Sequence, residues 1–175
     1  MNTLIIYGSQ YGTTKRYADK FAEMTKFPII NYENVKSLDD YNQIIYFGGL
    51  YAGGIKGLKS IIKKIPLGTK LIIVTVGLAD VTDKENIIKI RNSIKKQIPE
   101  HLFNTSLIFN LRGGIDYNKL NFKHKTMMRM LRHFIKKKST DDLSQEDKDF
   151  LESYNKKVDF VDFDSLKQIL NVINK

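Results

Sequence analysis

The sequence predicts an open, doubly wound α/β domain built on a parallel sheet. Three observations predict it: four nearly continuous apolar, β-branched runs, helical patterns between them, and glycine- and hydroxyl-rich turns directly after the runs. A strand covered by helices on both faces loses the apolar–polar alternation of a half-exposed one, so it reads as a continuous apolar run. Runs that alternate with helices argue for parallel crossover units.

The elements follow in order. Leu4–Tyr7 is the first strand. Thr14–Lys26 is a helix with Tyr17, Ala18, Phe21 and Ala22 on one face. Pro28-Ile29-Ile30 is a weaker strand that suits a sheet edge, because proline has no amide hydrogen for a ladder. Ile44–Phe47 is the next core strand, followed by a helix over Gly57–Lys64 with Leu58, Ile61 and Ile62. Leu71–Val76 is a third core strand. Asp83–Gln97 is a helix carrying Ile87, Ile88, Ile90 and Ile94, stopped at Ile98-Pro99. Leu107–Leu111 is the last strand. A helical insertion over about 118–158 precedes the last helix, which Asp162 caps and which carries Leu166, Ile169, Leu170 and Ile173. Within the insertion, Ser144 and Asp147 form the capping box of a helix over Gln145–Lys157.

The 175 residues suit one domain over 1–175, with 42% apolar residues to fill a core. There is no cysteine, which excludes disulfides, thiolate nucleophiles and Cys-ligated clusters. No apolar run approaches the ~18 residues of a membrane span. Met1–Ile6 lacks the basic start of a signal peptide, so a cytoplasmic protein is expected. The net charge of +10 is concentrated: 119–138 holds eight Lys and Arg and no acid, leaving roughly +2 elsewhere.

Ligands of open parallel sheets sit beyond the carboxyl ends of the strands. The first such end gives Ser9-Gln10-Tyr11-Gly12-Thr13-Thr14 and then a helix, which offers amides, hydroxyls and a helix dipole to an anion. No lysine lies in the loop, so a triphosphate-binding P-loop is rejected and a single phosphate fits. A plain helix-capping turn is the competing reading. The next end gives Gly48-Gly49-Leu50-Tyr51-Ala52-Gly53-Gly54, glycines around an aromatic that can stack on a flat ring. The third gives Gly77-Leu78-Ala79-Asp80, a small-residue wall. Each has a bland reading as a connection. A mononucleotide with a planar ring needs all three together.

On these loops the chain resembles the flavodoxin family, whose phosphate loop reads Ser/Thr-x-Thr-Gly-x-Thr. Ser9, Gly12 and Thr14 match, while Tyr11 stands where a small hydroxyl is expected. The resemblance implies a flavodoxin-like five-stranded parallel sheet in the order 2-1-3-4-5 and FMN as cofactor. It implies a phosphate on residues 9–14 and an isoalloxazine flanked by Leu50, Tyr51, Ala52, Gly53 and Gly54 and by Gly77, Leu78 and Ala79. Leu111–Tyr117 and the basic, Met-rich stretch after it are similar to the branch grouped with menaquinone-dependent protoporphyrinogen oxidase. FMN implies either an electron carrier or an FMN-dependent oxidoreductase, with a redox partner protein or a small-molecule substrate; the branch implies, as the alternative, a protoporphyrinogen oxidase-like enzyme at the membrane surface with a quinone acceptor.

Over Leu120–Lys138, Leu120, Met127, Met128, Met130, Leu131, Phe134 and Ile135 fall on one broad helical face. Lys125, Arg129, Arg132, His133, Lys136 and Lys137 fall on the other. This helix either packs on its own sheet, lies on an anionic membrane through 119–138, or docks an acidic partner through residues such as Arg129 and Arg132. Nucleic acid is the weakest partner, for lack of a recognised module. Arg112 and Asp116, at the last strand's end, are candidates for holding a substrate, against a salt-bridged turn. His101, His124 and His133 read as separate surface histidines, and no metal site is predicted. A phosphoacceptor receiver of the same architecture fails because the strand ends carry Gly8-Ser9 and Gly48-Gly49 in place of acids. A cofactor-free module using the basic helix is the remaining rival.

Overall fold

The computed structural model describes residues 1–51 and 54–173. Its order is β1 (Thr3–Gly8), α1 (Thr13–Thr25), β2 (Ile29–Asn31), β3 (Gln43–Tyr51), β4 (Gly54–Ile55), α2 (Leu58–Ile62), β5 (Lys70–Gly77), α3 (Lys84–Lys95), α4 (Glu100–Thr105), β6 (Leu107–Arg112), β7 (Gly114–Asp116), α5 (Phe122–Lys136), α6 (Gln145–Ser153), β8 (Lys157–Asp159) and α7 (Lys167–Ile173). The main sheet runs β2-β1-β3-β5-β6, all parallel, with β4 folded back antiparallel on the end of β3. This is the expected 2-1-3-4-5 order, with Pro28 leading into an edge strand.

Burial explains the continuous apolar runs. Leu4, Ile6, Ile44, Tyr46, Leu71 and Ile73 point to one face, under α2 and α3. Ile5, Ile45, Phe47, Ile72 and Val74 point to the other, under Tyr17 and Phe21 of α1 and Leu166 and Ile169 at the C-terminus. Each residue of these strands therefore meets a core, whichever way it points.

Helix ends follow side-chain chemistry. The Asp83 carboxylate accepts the Glu85 amide and starts α3, and Asp162 accepts the Asp164 amide before α7. The Ser144–Asp147 capping box starts α6 as expected. Two expectations are corrected. Gly48–Tyr51 is not a loop: β3 continues through it, because β4 supplies hairpin partners for Leu50 and Tyr51. The helix expected over Gln145–Lys157 ends at Ser153, where Asn155 turns left-handed (φ 62°), and 157–159 becomes β8. The structure thereby closes the insertion at its base, since β8 pairs antiparallel with β7, Asp116 lying opposite Lys157.

Among the described residues no helix is long and apolar enough to cross a membrane.

Candidate functional site

A cavity of about 950 Å³ opens over the carboxyl ends of β1, β3, β5 and β6. It lies where connections diverge to opposite halves of the sheet: β1 leads left to β2, and β3 leads right to β5. The strand ends supply its floor, and the insertion supplies its roof through Leu120, His124, Met127, Met128 and Leu131.

The end where the sequence predicts an anion is the turn between β1 and α1. Gly12 adopts φ +92°, a left-handed conformation that costs an L-residue about 1–2 kcal/mol. Its amide donates to the Ser9 hydroxyl at 3.0 Å. Gly12 is also the N-cap of α1, so no side chain caps that helix and no acid lies in its first turn. The first amides of a helix have no partner within it. Here they face a wall made by Ser9, Gln10, Tyr11, Thr13 and Thr14, which all line the cavity. The Thr14 side chain is buried, while the Thr13 hydroxyl donates to the Gly114 carbonyl at 3.3 Å and ties the loop to β7.

The apolar end is built from main chain held close. A Cβ on Gly49 would come within 2.9 Å of the Thr14 hydroxyl, so the β3 backbone reaches the loop only without a side chain there. Leu50, Tyr51, Gly54, Gly77, Leu78 and Ala79 line this end. Ala52 and Gly53, also expected here, lie outside the described residues.

Arg112 stands at the end of β6 on the cavity wall. Its Nε donates to the Leu78 carbonyl at 3.2 Å and its guanidinium stacks 3.9 Å over the Phe160 ring. Two hydrogen bonds from Thr82, from its amide and then its hydroxyl, hold the nearby Asp80 carboxyl below its ordinary range, and the Arg112 charge adds to this. Asp116 is not beside Arg112 in the cavity. It accepts the Asn118 amide at 3.0 Å and caps a short 3-10 turn. Arg129 is on the outer face of α5, and Arg132 stacks 4.8 Å over Tyr154 inside the insertion. Neither lines the cavity, as befits residues expected on the basic face of the helix and not at the strand ends.

His124 corrects a further expectation. It is 6% exposed, and it is no surface histidine. Its Nδ1 meets the Tyr11 hydroxyl and its Nε2 meets the Tyr51 hydroxyl. One signal for it was in the sequence: 120, 124, 128, 131 and 135 fall on one helical stripe, and His124 occupies its second place. The broad apolar face expected for this helix divides in the structure. Met128 and Ile135 turn inward, while Phe122 (83%), Phe134 (61%) and Met130 (56%) are exposed.

These residues fit a mononucleotide with a planar ring. Neutral donors and an uncapped helix start suit a phosphate, and closely approaching main chain with apolar side chains suits a ring.

A family model described as a flavodoxin domain matches residues 4–142. No curated protein matches the sequence at a significant level. Solved structures similar to this chain include a flavoprotein in complex with FMN from Lactobacillus acidophilus NCFM (12% identity, 63% of this chain and 91% of that one, TM-score 0.43). A putative flavoprotein from Bacteroides eggerthii DSM 20697 is 11% identical over 74% of this chain and 96% of that one, with a TM-score of 0.46. A cysteine-to-serine mutant of flavodoxin from Pseudomonas aeruginosa is 14% identical over 77% of this chain and 96% of that one, with a TM-score of 0.43. At these scores the likenesses add nothing to the domain match.

Proposed function

Because this chain belongs to the flavodoxin-domain family, we propose that the cavity binds FMN and that the protein moves electrons, as a carrier or as an FMN-dependent oxidoreductase. The observation that carries this reading is the start of α1, left without a side-chain cap on the wall of a cavity whose strand-end side is lined by Leu50, Tyr51, Gly77, Leu78 and Ala79. Ser9, Gln10, Gly12, Thr13 and Thr14 would hold the phosphate. Leu50, Tyr51, Gly54, Gly77, Leu78 and Ala79 would flank the ring. Bound FMN supplies reversible electron uptake, which no side chain of this chain can perform.

The chain's own residues set the conditions. Neutral amides and hydroxyls hold an anion without a lysine. Leu120, Met127, Met128 and Leu131 give the cavity an apolar roof over the ring end. Arg112, fixed by the Leu78 carbonyl and Phe160, places a cation on that wall.

The visible spectrum of the purified protein tests this, with FMN added if the protein is colourless. Flavin absorbance that follows the protein, with fluorescence quenched on binding, is expected. No uptake at micromolar FMN removes the electron-transfer reading and leaves a cofactor-free module.

A second reading is a protoporphyrinogen oxidase-like enzyme that works on a membrane surface with a quinone acceptor. The outer face of α5 favours it. Phe122, Met130 and Phe134 stand exposed beside Arg129, His133, Lys136 and Lys137. Exposed apolar side chains ringed by cations suit the interface of an anionic bilayer. Sedimentation with vesicles of phosphatidylcholine alone, or mixed with phosphatidylglycerol, distinguishes the cases. Binding to the mixed vesicles alone, lost in Phe134→Ser, is expected. Equal absence of binding to both leaves a soluble role.

A further inference from the structure

We propose that His124 is a positioning residue that makes the insertion part of the cofactor site. It clasps Tyr11 of the loop after β1 and Tyr51 at the end of β3, on two sides of the cavity. The proposal rests on the FMN reading above for its ligand.

Three observations carry it. The first is a departure in the sequence: a phenol occupies position 11, where the resemblance expects a small hydroxyl. A tyrosine there reaches past the phosphate loop toward the roof. Its hydroxyl meets His124 Nδ1, and the rings lie edge to face with centroids 5.4 Å apart. The second is Tyr51, at the end of β3, whose hydroxyl meets the other ring nitrogen with centroids 4.7 Å apart. The imidazole therefore has both nitrogens engaged, by two phenols that are 40 positions apart in sequence and on different strand ends. The third is burial. Lys123 and Lys125 on either side are exposed, yet His124 is buried, with its place in the first turn fixed by the Asn121 side chain, which accepts the His124 amide at 2.9 Å.

The chemistry of imidazole makes this bridge more than filler. A neutral ring has one donor and one acceptor nitrogen. With the ring neutral, one phenol would donate to it and the other would accept from it. That second phenol keeps its own hydrogen free for a ligand in the cavity. The remaining roof contacts of α5, Met127, Met128 and Leu131, are apolar side chains that fill space but fix no register. Hydrogen bonds are directional, so the two phenols determine where α5 sits along the mouth. The insertion and the unusual tyrosine of the phosphate loop thus form one device.

The test measures FMN release from the full-length protein by stopped-flow fluorescence. His124→Phe keeps ring volume and loses both bonds. Two neutral hydrogen bonds lost should speed release on the order of ten- to a hundredfold. His124→Gln keeps a donating NH2 group and an accepting carbonyl oxygen and should restore most of the loss. Tyr11→Phe and Tyr51→Phe each remove a single hydroxyl, and each combined with His124→Phe should be markedly less than additive. If His124→Phe does not fold, the two tyrosine variants carry the test. Release rates equal to wild type in those variants, or strict additivity with His124→Phe, overturn the proposal. Wild-type protein that takes up no FMN sinks the cofactor reading instead. The clasp is then judged on ligand-free protein, where Tyr11→Phe and Tyr51→Phe should both speed amide exchange in α5. Unchanged exchange there overturns it.

Discussion

The sheet domain and its insertion are stabilised in different ways. In the sheet domain β1, β3 and β5 are buried from both sides, and Phe47 meets Phe21 of α1 with ring centroids 5.5 Å apart. In the insertion the contacts are few and specific. Arg132 stacks on Tyr154, Tyr154 meets the Tyr117 ring at 5.2 Å, and Lys138 pairs with Asp147 at 2.7 Å. The β7–β8 ribbon joins the two parts. Collective burial ties a whole domain to every core residue, while a set of local bonds ties each residue to its own element. The two parts should therefore respond differently to equal damage.

The largest effect expected is in the sheet. Phe47→Ala removes a fully buried ring between β3 and α1, and should cost about 3–5 kcal/mol of global stability in denaturant unfolding. Ile135→Ala in α5 deletes a buried side chain of similar apolar character. Its loss should appear as local opening, in faster amide exchange of α5 and α6, with the global midpoint little changed. The contrast breaks if Ile135→Ala lowers the global midpoint as far as Phe47→Ala.

The next effect follows from the register of the ribbon. Asp116 lies opposite Lys157, so residues 117–156 can be replaced by Asn-Gly, the turn that suits a two-residue hairpin. The shortened chain should keep the far-UV spectrum of the sheet domain and unfold in one transition. It should release FMN faster than wild type, because the roof and His124 are gone. Loss of all cooperative unfolding would show that the insertion is part of the core.

What could be read from sequence follows the same division. The four apolar runs and the edge placement of Pro28 announced the sheet, and the loop of residues 9–14, singled out in the sequence, lies on the cavity wall. Burial on both faces writes itself into a strand as an unbroken run. The β7–β8 ribbon was not legible, because Gly114-Ile115-Asp116 and Lys157-Val158-Asp159 are short and carry no periodicity. His124 was missed because its meaning depends on Tyr11 and Tyr51, which are distant in sequence and arrive only through the fold. Arg129 and Arg132 looked alike as basic-face residues. In the structure Arg132 stacks on Tyr154, and Arg129 faces outward.

A smaller effect is expected at the start of α1. Gly12→Ala keeps the loop's chemistry but places a Cβ at φ +92°. Nothing lies within 4 Å of that Cβ, so the penalty is conformational and should stay near 1–2 kcal/mol. The conformation is part of the anion end, so FMN affinity should fall by about tenfold, one 1.4 kcal/mol step. An unchanged affinity would mean that the helix start does not hold the phosphate.

The smallest effect expected is a pH response confined to the insertion. Burial pushes the Asp147 carboxyl up, but the Lys138 ammonium and the Ser144 amide and hydroxyl together outweigh it and hold the group below 3.8. A carboxyl depressed on folding stabilises above its unfolded value, and that contribution is lost as pH falls through the folded value. The α5–α6 link should therefore loosen below about pH 3.8, with faster exchange in α6, while the sheet is unaffected by this group. Asp159 provides the control. The Arg16 guanidinium, 2.7 Å away, also holds it low, but both side chains are nearly half exposed, and such a pair contributes little. Ser144→Ala should remove the hydroxyl half of the box at about 1 kcal/mol and leave the Lys138 pair and the backbone amide of residue 144 to respond. Asp159→Asn should leave the acid response of α6 as it was. If it abolishes that response, the ribbon and not the capping box is what acid releases.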